Sequence, residues 1–420
     1  MTQPTREGRG IARLSGVSLI LVATVIAGIA AYVVTWLVPH RIGLASYALF
    51  AVFWAFLYLV VGTLSGIQQE VARATRARDG RLVGRVGRAG SFAVVAALSV
   101  FTIVVLSAPV WVQAIFPTDG WSLVWPLAAG TASYVFVAVL GGAFYGIAQW
   151  LSLALMMTVD ALLRLLAVGI ALAFTSDVVV LAWAVVLPFP ATIALLWLFI
   201  RKSIRGRSEL DVGYGALSWN VARTILAAAS TSAMVSGFPL LLGLTAPNEP
   251  RATVGLFILS ITLTRAPLIV IAMSMQSYLV VTFRARTASF WRNFLRLQAL
   301  VMGAGIVLAA VGWVIGPAVF GVLFPGEPRP EGWFIAVLVM SSALVGGLFV
   351  AGPAVLARSQ HFIYASGWTV AASVTVVSLV LPLDFTARTV TALLAGPIAG
   401  AAVFAVYLSM AVRRERVAAD

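Results

Sequence analysis

One arginine stands alone in a long apolar stretch of the chain. Arg265 occurs in the segment "ILSITLTRAPLIVIAMSM" (258–275), and no other charged residue lies within ten positions of it. An arginine in the hydrocarbon core of a bilayer costs about 2.5–3.5 kcal/mol on insertion scales, so it needs water or a partner. Its planar guanidinium also suits carboxylate and phosphate oxygens, which it binds through two parallel hydrogen bonds. Arg265 is therefore a candidate binding residue.

Two further charged residues lie four positions apart in another apolar stretch. Asp160 and Arg164 occur in "VDALLRLL" (159–166). This spacing puts both side chains on one face of a helix, where they can form an ion pair. Mutual neutralisation lowers the free energy of burying them, which favours a structural pair. The alternative is a site that couples transport to a proton or sodium ion, released when a substrate displaces the pair.

Other polar side chains form stripes near these charges. Asn220, Arg223 and Ser230 recur at helical spacing along one apolar segment, and Gln276 can share a helix face with Arg265 in the next. Such stripes either line a cavity or pack helices against each other. Cavity lining is the favoured interpretation, because the two arginines carry charge and need water or a partner.

The composition identifies the medium in which these residues act. Of the 420 residues, 61% are hydrophobic and only 10% are charged. Apolar runs of 18 or more residues recur along the whole chain, and each can cross about 30 Å of hydrocarbon as a helix. The sequence predicts an all-α polytopic membrane protein with twelve spans, at 14–38, 44–67, 91–116, 121–146, 150–174, 178–200, 219–244, 253–281, 294–320, 333–356, 362–383 and 389–412. The first span is interpreted as a retained signal anchor.

The basic residues predict the orientation. With the N-terminus inside, the cytoplasmic segments hold 22 of the 28 lysines and arginines, which predicts both termini in the cytoplasm of a cytoplasmic-membrane protein. This topology and contact with anionic membrane lipids account for the net charge of +14, and no nucleic-acid partner is expected. The absence of cysteine excludes disulfides and thiolate metal sites. No metal site is predicted, because His40 and His361 fall on opposite sides of the membrane.

Short matches at a nearly constant offset indicate an internal duplication. The basic stretch "RAR" (76–78) recurs at 284–286, "IAR" (11–13) matches "VAR" (221–223), and Pro188 falls opposite Pro397. The offsets are close to 209 residues, which leaves six spans in each half. The sequence therefore predicts two six-helix lobes, residues 1–205 and 206–420, related by a pseudo-two-fold axis along the membrane normal.

These features resemble a known family of membrane transporters. The paired basic segments, the stretch "ASYALFAVFWAF" with its partner "ATVGLFILSITLTR", and the pair Arg13 and Arg223 resemble the polysaccharide-exporter branch of the multidrug/oligosaccharidyl-lipid/polysaccharide flippase superfamily. The resemblance covers nearly the whole chain. It implies a V-shaped pair of six-helix lobes and the flipping of a polyprenyl-diphosphate-linked saccharide by alternating access. Polysaccharide polymerases or glycosyltransferases are then candidate partners.

The resemblance also implies a substrate site. In the family, arginines of spans 1, 2, 7 and 8 face a cationic central cavity, and the matching positions here are Arg13, Arg73, Arg223 and Arg265. Span 2 departs from the pattern, because Leu57 falls opposite Arg265. The headgroup diphosphate would bind these arginines, with Asn220, Ser230 and Gln276 lining the cavity.

Several other functions are weighed against a flippase. An enzyme is not expected, since the first outer loop "PHRIG" has no acid and no catalytic residue or cofactor site is recognisable. The alternatives are a drug/cation antiporter of the same superfamily, with Asp160 as its buried acid, a major-facilitator-type transporter, and a non-transporting scaffold of an envelope polysaccharide assembly complex.

Overall fold

The architecture is a set of long helices joined by short connections. A computed structural model describes residues 6–75, 87–118, 120–204, 209–285 and 290–417. The elements are α1 (Arg6–Ala74), β1 (Gly87–Arg88), α2 (Ala89–Ile115), α3 (Gly120–Gly146), α4 (Trp150–Phe174), α5 (Val178–Val186), α6 (Pro188–Ile204), β2 (Glu209–Leu210), α7 (Tyr214–Val235), α8 (Phe238–Thr245), α9 (Arg251–Ala285), α10 (Phe290–Leu323), α11 (Gly332–Ala357), α12 (His361–Leu379) and α13 (Phe385–Val417).

The twelve predicted spans fall on these helices, which confirms the all-α polytopic fold. Helix α1 contains the first two spans and changes direction at Gly43, whose φ of 72° and ψ of 163° are open to glycine and strained for other residues. Among the described residues, nine helices are long and apolar enough to cross a membrane, and the pair α7 and α8 makes a tenth. Large apolar side chains such as Val110 and Val314 are exposed, as expected for a protein surrounded by lipid.

Two predicted spans are interrupted within the membrane-spanning length, and only the second of them, between α7 and α8, is sharply bent, by 70°. The span over 178–200 divides into α5 and α6 at Leu187, just before Pro188, and the span over 219–244 divides into α7 and α8 at Ser236 and Gly237. Pro190 and Pro239 follow the breaks. Proline has no N–H group and its ring collides with the preceding turn, so each break has a local cause.

The chain forms two compact units. The first comprises Met1–Ile42 and Val52–Ser232, and the second comprises Gly43–Ala51 and Ala233–Asp420. Most of α7 therefore belongs to the first unit by its contacts. The lobe boundary between residues 205 and 206 remains a prediction. The compact units differ from the predicted lobes in two places: most of α7 lies in the first unit, and Gly43–Ala51 of α1 lies in the second.

In the first unit, the second half of α1 packs with α2 and α3. Val71, Ala138 and Val135 are fully buried in this cluster, and Leu210 joins it from the segment before α7. The two-residue strands β1 and β2 pair antiparallel, with Gly87 opposite Leu210. The strands β1 and β2, which are far apart in sequence, therefore lie together near the end of α1. The Asp211 amide, just after β2, donates to the Ala74 carbonyl of α1 at 3.0 Å.

In the second unit, α9 to α13 share one apolar cluster. Its largest fully buried side chains are Phe349, Trp368 and Phe404. Helices α12 and α13 approach closely because small residues face each other, and a Cβ at Gly400 would lie 2.8 Å from the Gly367 carbonyl oxygen. Close backbone approach at glycine is a common way for membrane helices to gain packing energy without a hydrophobic driving force.

Candidate functional site

The predicted ion pair is formed inside the first unit. The Arg164 Nη2 atom donates to Asp160 Oδ1 at 3.0 Å and lies 2.8 Å from Oδ2. Arg164 is buried and Asp160 is half-buried. The i,i+4 spacing on α4 brings them together, as the sequence predicts. Whether this pair is structural or couples transport remains a prediction.

Arg164 has a second partner that the sequence does not reveal. Its Nε atom donates to the Val185 carbonyl at 3.1 Å, and its guanidinium lies 4.8 Å from the centre of the Phe189 ring. The Tyr58 ring is 5.7 Å away on another side, and Tyr134 stacks edge-on against Phe189. The charged pair is thus enclosed by aromatic rings and attached to the break between α5 and α6.

Arg265 is buried in the second unit and contacts the other helix break. The side chain is 6% exposed, and its Nη2 atom donates to the Met234 carbonyl at 2.6 Å. The guanidinium carbon lies 6.0 Å from the centre of the Phe238 ring. Its Nε atom has no hydrogen-bond partner among the described residues. The role of Arg265 in lining a cavity and binding a diphosphate remains a prediction.

The other candidate residues are distributed over the two units. Arg223 is exposed on α7, and Asn220 and Ser230 are half-buried on the same helix. Arg73 is largely exposed and lies within the first unit, at the last turn of α1. Arg13 lies on α1 and Gln276 on α9, but their side chains lie outside the described residues.

One functional candidate was missed by the sequence analysis. Glu70 is a buried acid near the end of α1, where its Oε1 atom accepts a hydrogen bond from Thr224 Oγ1 at 2.7 Å and its Oε2 atom lies 2.5 Å from Arg73 Nη2. Glu70 follows Gly62 and Gly66 at four-residue intervals, so all three share one face. That glycine spacing is a signal of close helix contact.

This face of α1 packs on α7 within the first unit. A Cβ at Gly66 would lie 2.9 Å from the backbone nitrogen of Ile225. The absence of a side chain at Gly66 therefore permits the close contact between α1 and α7. The hydrogen bond from Thr224 to Glu70 joins the same two helices one turn further along α1. Among the described residues, no group of three or more acids, histidines or cysteines could hold a metal ion.

Comparisons with known proteins identify relatives over nearly the whole chain. No protein-family model matches the sequence. Uncharacterized protein Rv3630 of Mycobacterium tuberculosis is 30% identical over 400 residues, which cover 92% of this chain and 90% of the relative. Uncharacterized protein Rv1510 of the same species is 31% identical over 412 residues, covering 96% and 92%.

Solved structures with the same fold are transporters. A multidrug resistance MATE family transporter of the MOP superfamily in an inward-facing conformation has a TM-score of 0.67 at 14% identity, covering 96% of this chain and 98% of its own. The same kind of transporter in an outward-facing conformation has a TM-score of 0.63 at 15% identity, covering 95% and 96%. A MOP superfamily transporter from Pyrococcus furiosus, described as having a binding pocket of reverse polarity, also scores 0.63 at 16% identity, covering 94% and 95%. The chain therefore belongs to one family with the Mycobacterium tuberculosis proteins Rv3630 and Rv1510, and it has the fold of the MATE transporters of the MOP superfamily.

Proposed function

We propose that the chain is an alternating-access transporter that moves an organic substrate across the membrane. The observation that carries this proposal is the fold, which it shares with transporters known in both inward-facing and outward-facing conformations. The break between α7 and α8, with the buried Arg265 beside it, supports the proposal further, because discontinuous membrane helices commonly form the sites of secondary transporters. The fold favours this kind of transporter over the major-facilitator type.

The substrate class favoured by the neighbours is that of a drug or cation antiporter. Antiport requires a group that exchanges a proton or a cation for substrate, and an acid inside the membrane-spanning length can serve. Asp160 is such an acid, and both of its oxygens face the Arg164 guanidinium. Protonation or cation binding at Asp160 would weaken its pairing with Arg164, and that exchange is the coupling step of this proposal.

A second candidate function is the flipping of a polyprenyl-diphosphate-linked saccharide. The observation that favours it is Arg265, a buried arginine with no acid partner among the described residues. An anionic diphosphate would supply the missing charge, and arginine binds phosphate oxygens through its planar fork. Polysaccharide polymerases or glycosyltransferases would then be partners in the cytoplasmic membrane, where both termini of the chain would face the cytoplasm.

Purified protein in sealed liposomes tests the antiporter directly. A pH gradient or a sodium gradient is imposed, and the uptake of a fluorescent organic cation is recorded. We expect uptake that requires a gradient and that falls at least about tenfold in an Asp160→Asn variant which retains its fold. Gradient-independent, background-level uptake for every cation tested would contradict the antiporter.

Depletion of the protein in its native cells separates the second candidate from the first. A flippase predicts that a lipid-linked saccharide accumulates in the inner leaflet, and that a well-folded Arg265→Gln variant fails to relieve the accumulation. An antiporter predicts no such lipid and instead greater sensitivity to organic cations. If the protein is a non-transporting scaffold, envelope polysaccharide is lost on depletion while liposomes that contain the protein transport nothing.

A further inference from the structure

The two helix breaks share a sequence pattern. The first reads "VVLPFP" (185–190) and the second reads "MVSGFP" (234–239). Each contains a helix-breaking residue, then phenylalanine, then proline, so Phe189 and Phe238 occupy the same position in the two patterns. The first residues of the patterns, Val185 and Met234, each lie four positions before the phenylalanine.

At both junctions the carbonyl four residues before the phenylalanine accepts a hydrogen bond from a buried arginine. In a continuous helix the Phe189 amide would donate to Val185, and the Phe238 amide would donate to Met234. The described backbone bonds across the breaks run from Leu187 to Trp183 and from Gly237 to Ala233, then resume at Ala191 and Leu241. Pro188, Pro190 and Pro239 have no amide hydrogen, so each junction includes carbonyls that lack a helical donor. An unpaired carbonyl inside a membrane is unfavourable by several kcal/mol.

An arginine from a neighbouring helix bonds a carbonyl at each junction in the same way. Arg164 on α4 donates to Val185 at 3.1 Å, and its guanidinium stands over the Phe189 ring. Arg265 on α9 donates to Met234 at 2.6 Å, and its guanidinium stands near the Phe238 ring. A cation at this point also faces the negative end of the helix that stops there. Each arginine thus meets a carbonyl, an aromatic ring and a helix C-terminus.

We infer that Arg164 and Arg265 are positioning residues that clamp two interrupted membrane spans, at the proline junction of α5 with α6 and at the bend between α7 and α8. The first clamp consists of Arg164, Val185 and Phe189, and the second clamp consists of Arg265, Met234 and Phe238. This inference gives Arg265 a role that requires no substrate. It holds whatever the chain transports, so its failure and the failure of the proposed function are separate outcomes.

The two clamps differ in strength. Arg164 is held by both oxygens of Asp160 as well as by the Val185 carbonyl. Arg265 bonds one carbonyl, and its Nε atom has no partner among the described residues. The first clamp is therefore the fixed one, and the second clamp releases its helix more readily.

A double-mutant cycle tests the second clamp. Gly237→Ala with Pro239→Ala removes the causes of the break, so the Phe238 amide can take the Met234 carbonyl in place of Arg265. We expect Arg265→Gln to lower the Tm of the purified native chain by about 3 °C or more, since a charged buried hydrogen bond is lost. In the Gly237→Ala, Pro239→Ala background, Arg265→Gln should lower the Tm by less than half as much.

The controls use residues of the same chain. Arg292→Gln changes an exposed arginine near the start of α10 and should leave the Tm nearly unchanged in both backgrounds. Arg265→Lys keeps one donor and should give an intermediate loss, which keeps the test valid if the glutamine variant does not fold. If Arg265→Gln lowers the Tm equally in the native chain and in the Gly237→Ala, Pro239→Ala background, the second clamp is overturned.

Hydrogen exchange tests the difference between the clamps. Amides in the first turn of α8 should exchange faster than amides in the first turn of α6, because Arg265 is held less firmly than Arg164. Arg265→Gln should speed exchange in α8 and leave α6 unchanged. Slower exchange in α8 than in α6 in the native chain overturns the assignment of the second clamp as the one that releases.

Discussion

The two arginines buried in the membrane-spanning helices each donate a hydrogen bond to a backbone carbonyl. Arg164 bonds Asp160 on its own helix and the Val185 carbonyl on another, whereas Arg265 bonds a carbonyl alone. A buried guanidinium has five N–H donors, so one acid rarely satisfies it. An arginine suits position 164 better than a lysine would, because its fork reaches the Asp160 carboxylate and the Val185 carbonyl at once.

The Asp160–Arg164 pair gives a prediction about stability. Asp160→Asn should lower the free energy of unfolding by about 3–5 kcal/mol, because it leaves Arg164 as an uncompensated buried charge. Adding Arg164→Leu should recover only part of that loss, since the Val185 carbonyl then loses its donor. Unfolding of the purified variants, followed by intrinsic fluorescence, measures both steps.

Two outcomes would change this interpretation. Full recovery in the double variant would mean that the Val185 carbonyl contributes nothing. A double variant that folds well and has lost all transport would mean that the pair couples transport rather than stabilising the fold.

At the scale of elements, the contact between α1 and α7 in the first unit depends on a glycine face. Gly62, Gly66 and Glu70 lie on one side of α1, and α7 approaches them closely enough for Thr224 to reach the Glu70 carboxylate. A stable helix contact of this kind needs both the small residues and the satisfied polar group, because an unpaired buried carboxylate would be unfavourable.

Substitutions of glycine on α1 test this contact. Gly66→Ala places a Cβ 2.9 Å from the Ile225 backbone nitrogen, so α7 must shift, and we expect a loss of about 1–3 kcal/mol in the free energy of unfolding. Gly28→Ala is the matched control, because nothing lies within 4 Å of its Cβ position, and it should be neutral or stabilising by up to about 1 kcal/mol. Equal effects of the two substitutions would show that the close approach is unimportant.

The elements differ in how far the sequence predicts them. The twelve spans follow from hydropathy, because each apolar run is long enough to cross a bilayer. The Asp160–Arg164 pair follows from local spacing. The interruptions at Pro188 and Gly237 lie beside prolines, but hydropathy does not mark them, since the apolar runs continue through them. The Glu70–Thr224 bond joins residues 154 positions apart, and the Met234 carbonyl carries no side-chain signal, so both depend on tertiary packing.

At the scale of the whole molecule, the orientation in the membrane is a prediction from charge alone. Asn248, between α8 and α9, should lie outside, and Ser359, between α11 and α12, should lie in the cytoplasm. Both residues are exposed, and the chain has no native cysteine, so single-cysteine labelling is unambiguous. A membrane-impermeant maleimide should modify Asn248→Cys in intact cells and Ser359→Cys only after permeabilisation. The reverse pattern would overturn the topology.

The central claim is that the chain works by alternating access, and the accessibility of one α7 residue from the two membrane faces tests it most directly. Ser230 belongs to the polar stripe of α7 and is half-buried. A Ser230→Cys variant is treated with an impermeant maleimide in right-side-out and in inside-out vesicles, with and without a pH gradient. Alternating access predicts labelling from both faces, with a gradient raising the rate on one face as it lowers the rate on the other. Labelling from a single face, unchanged by any gradient, would contradict the account.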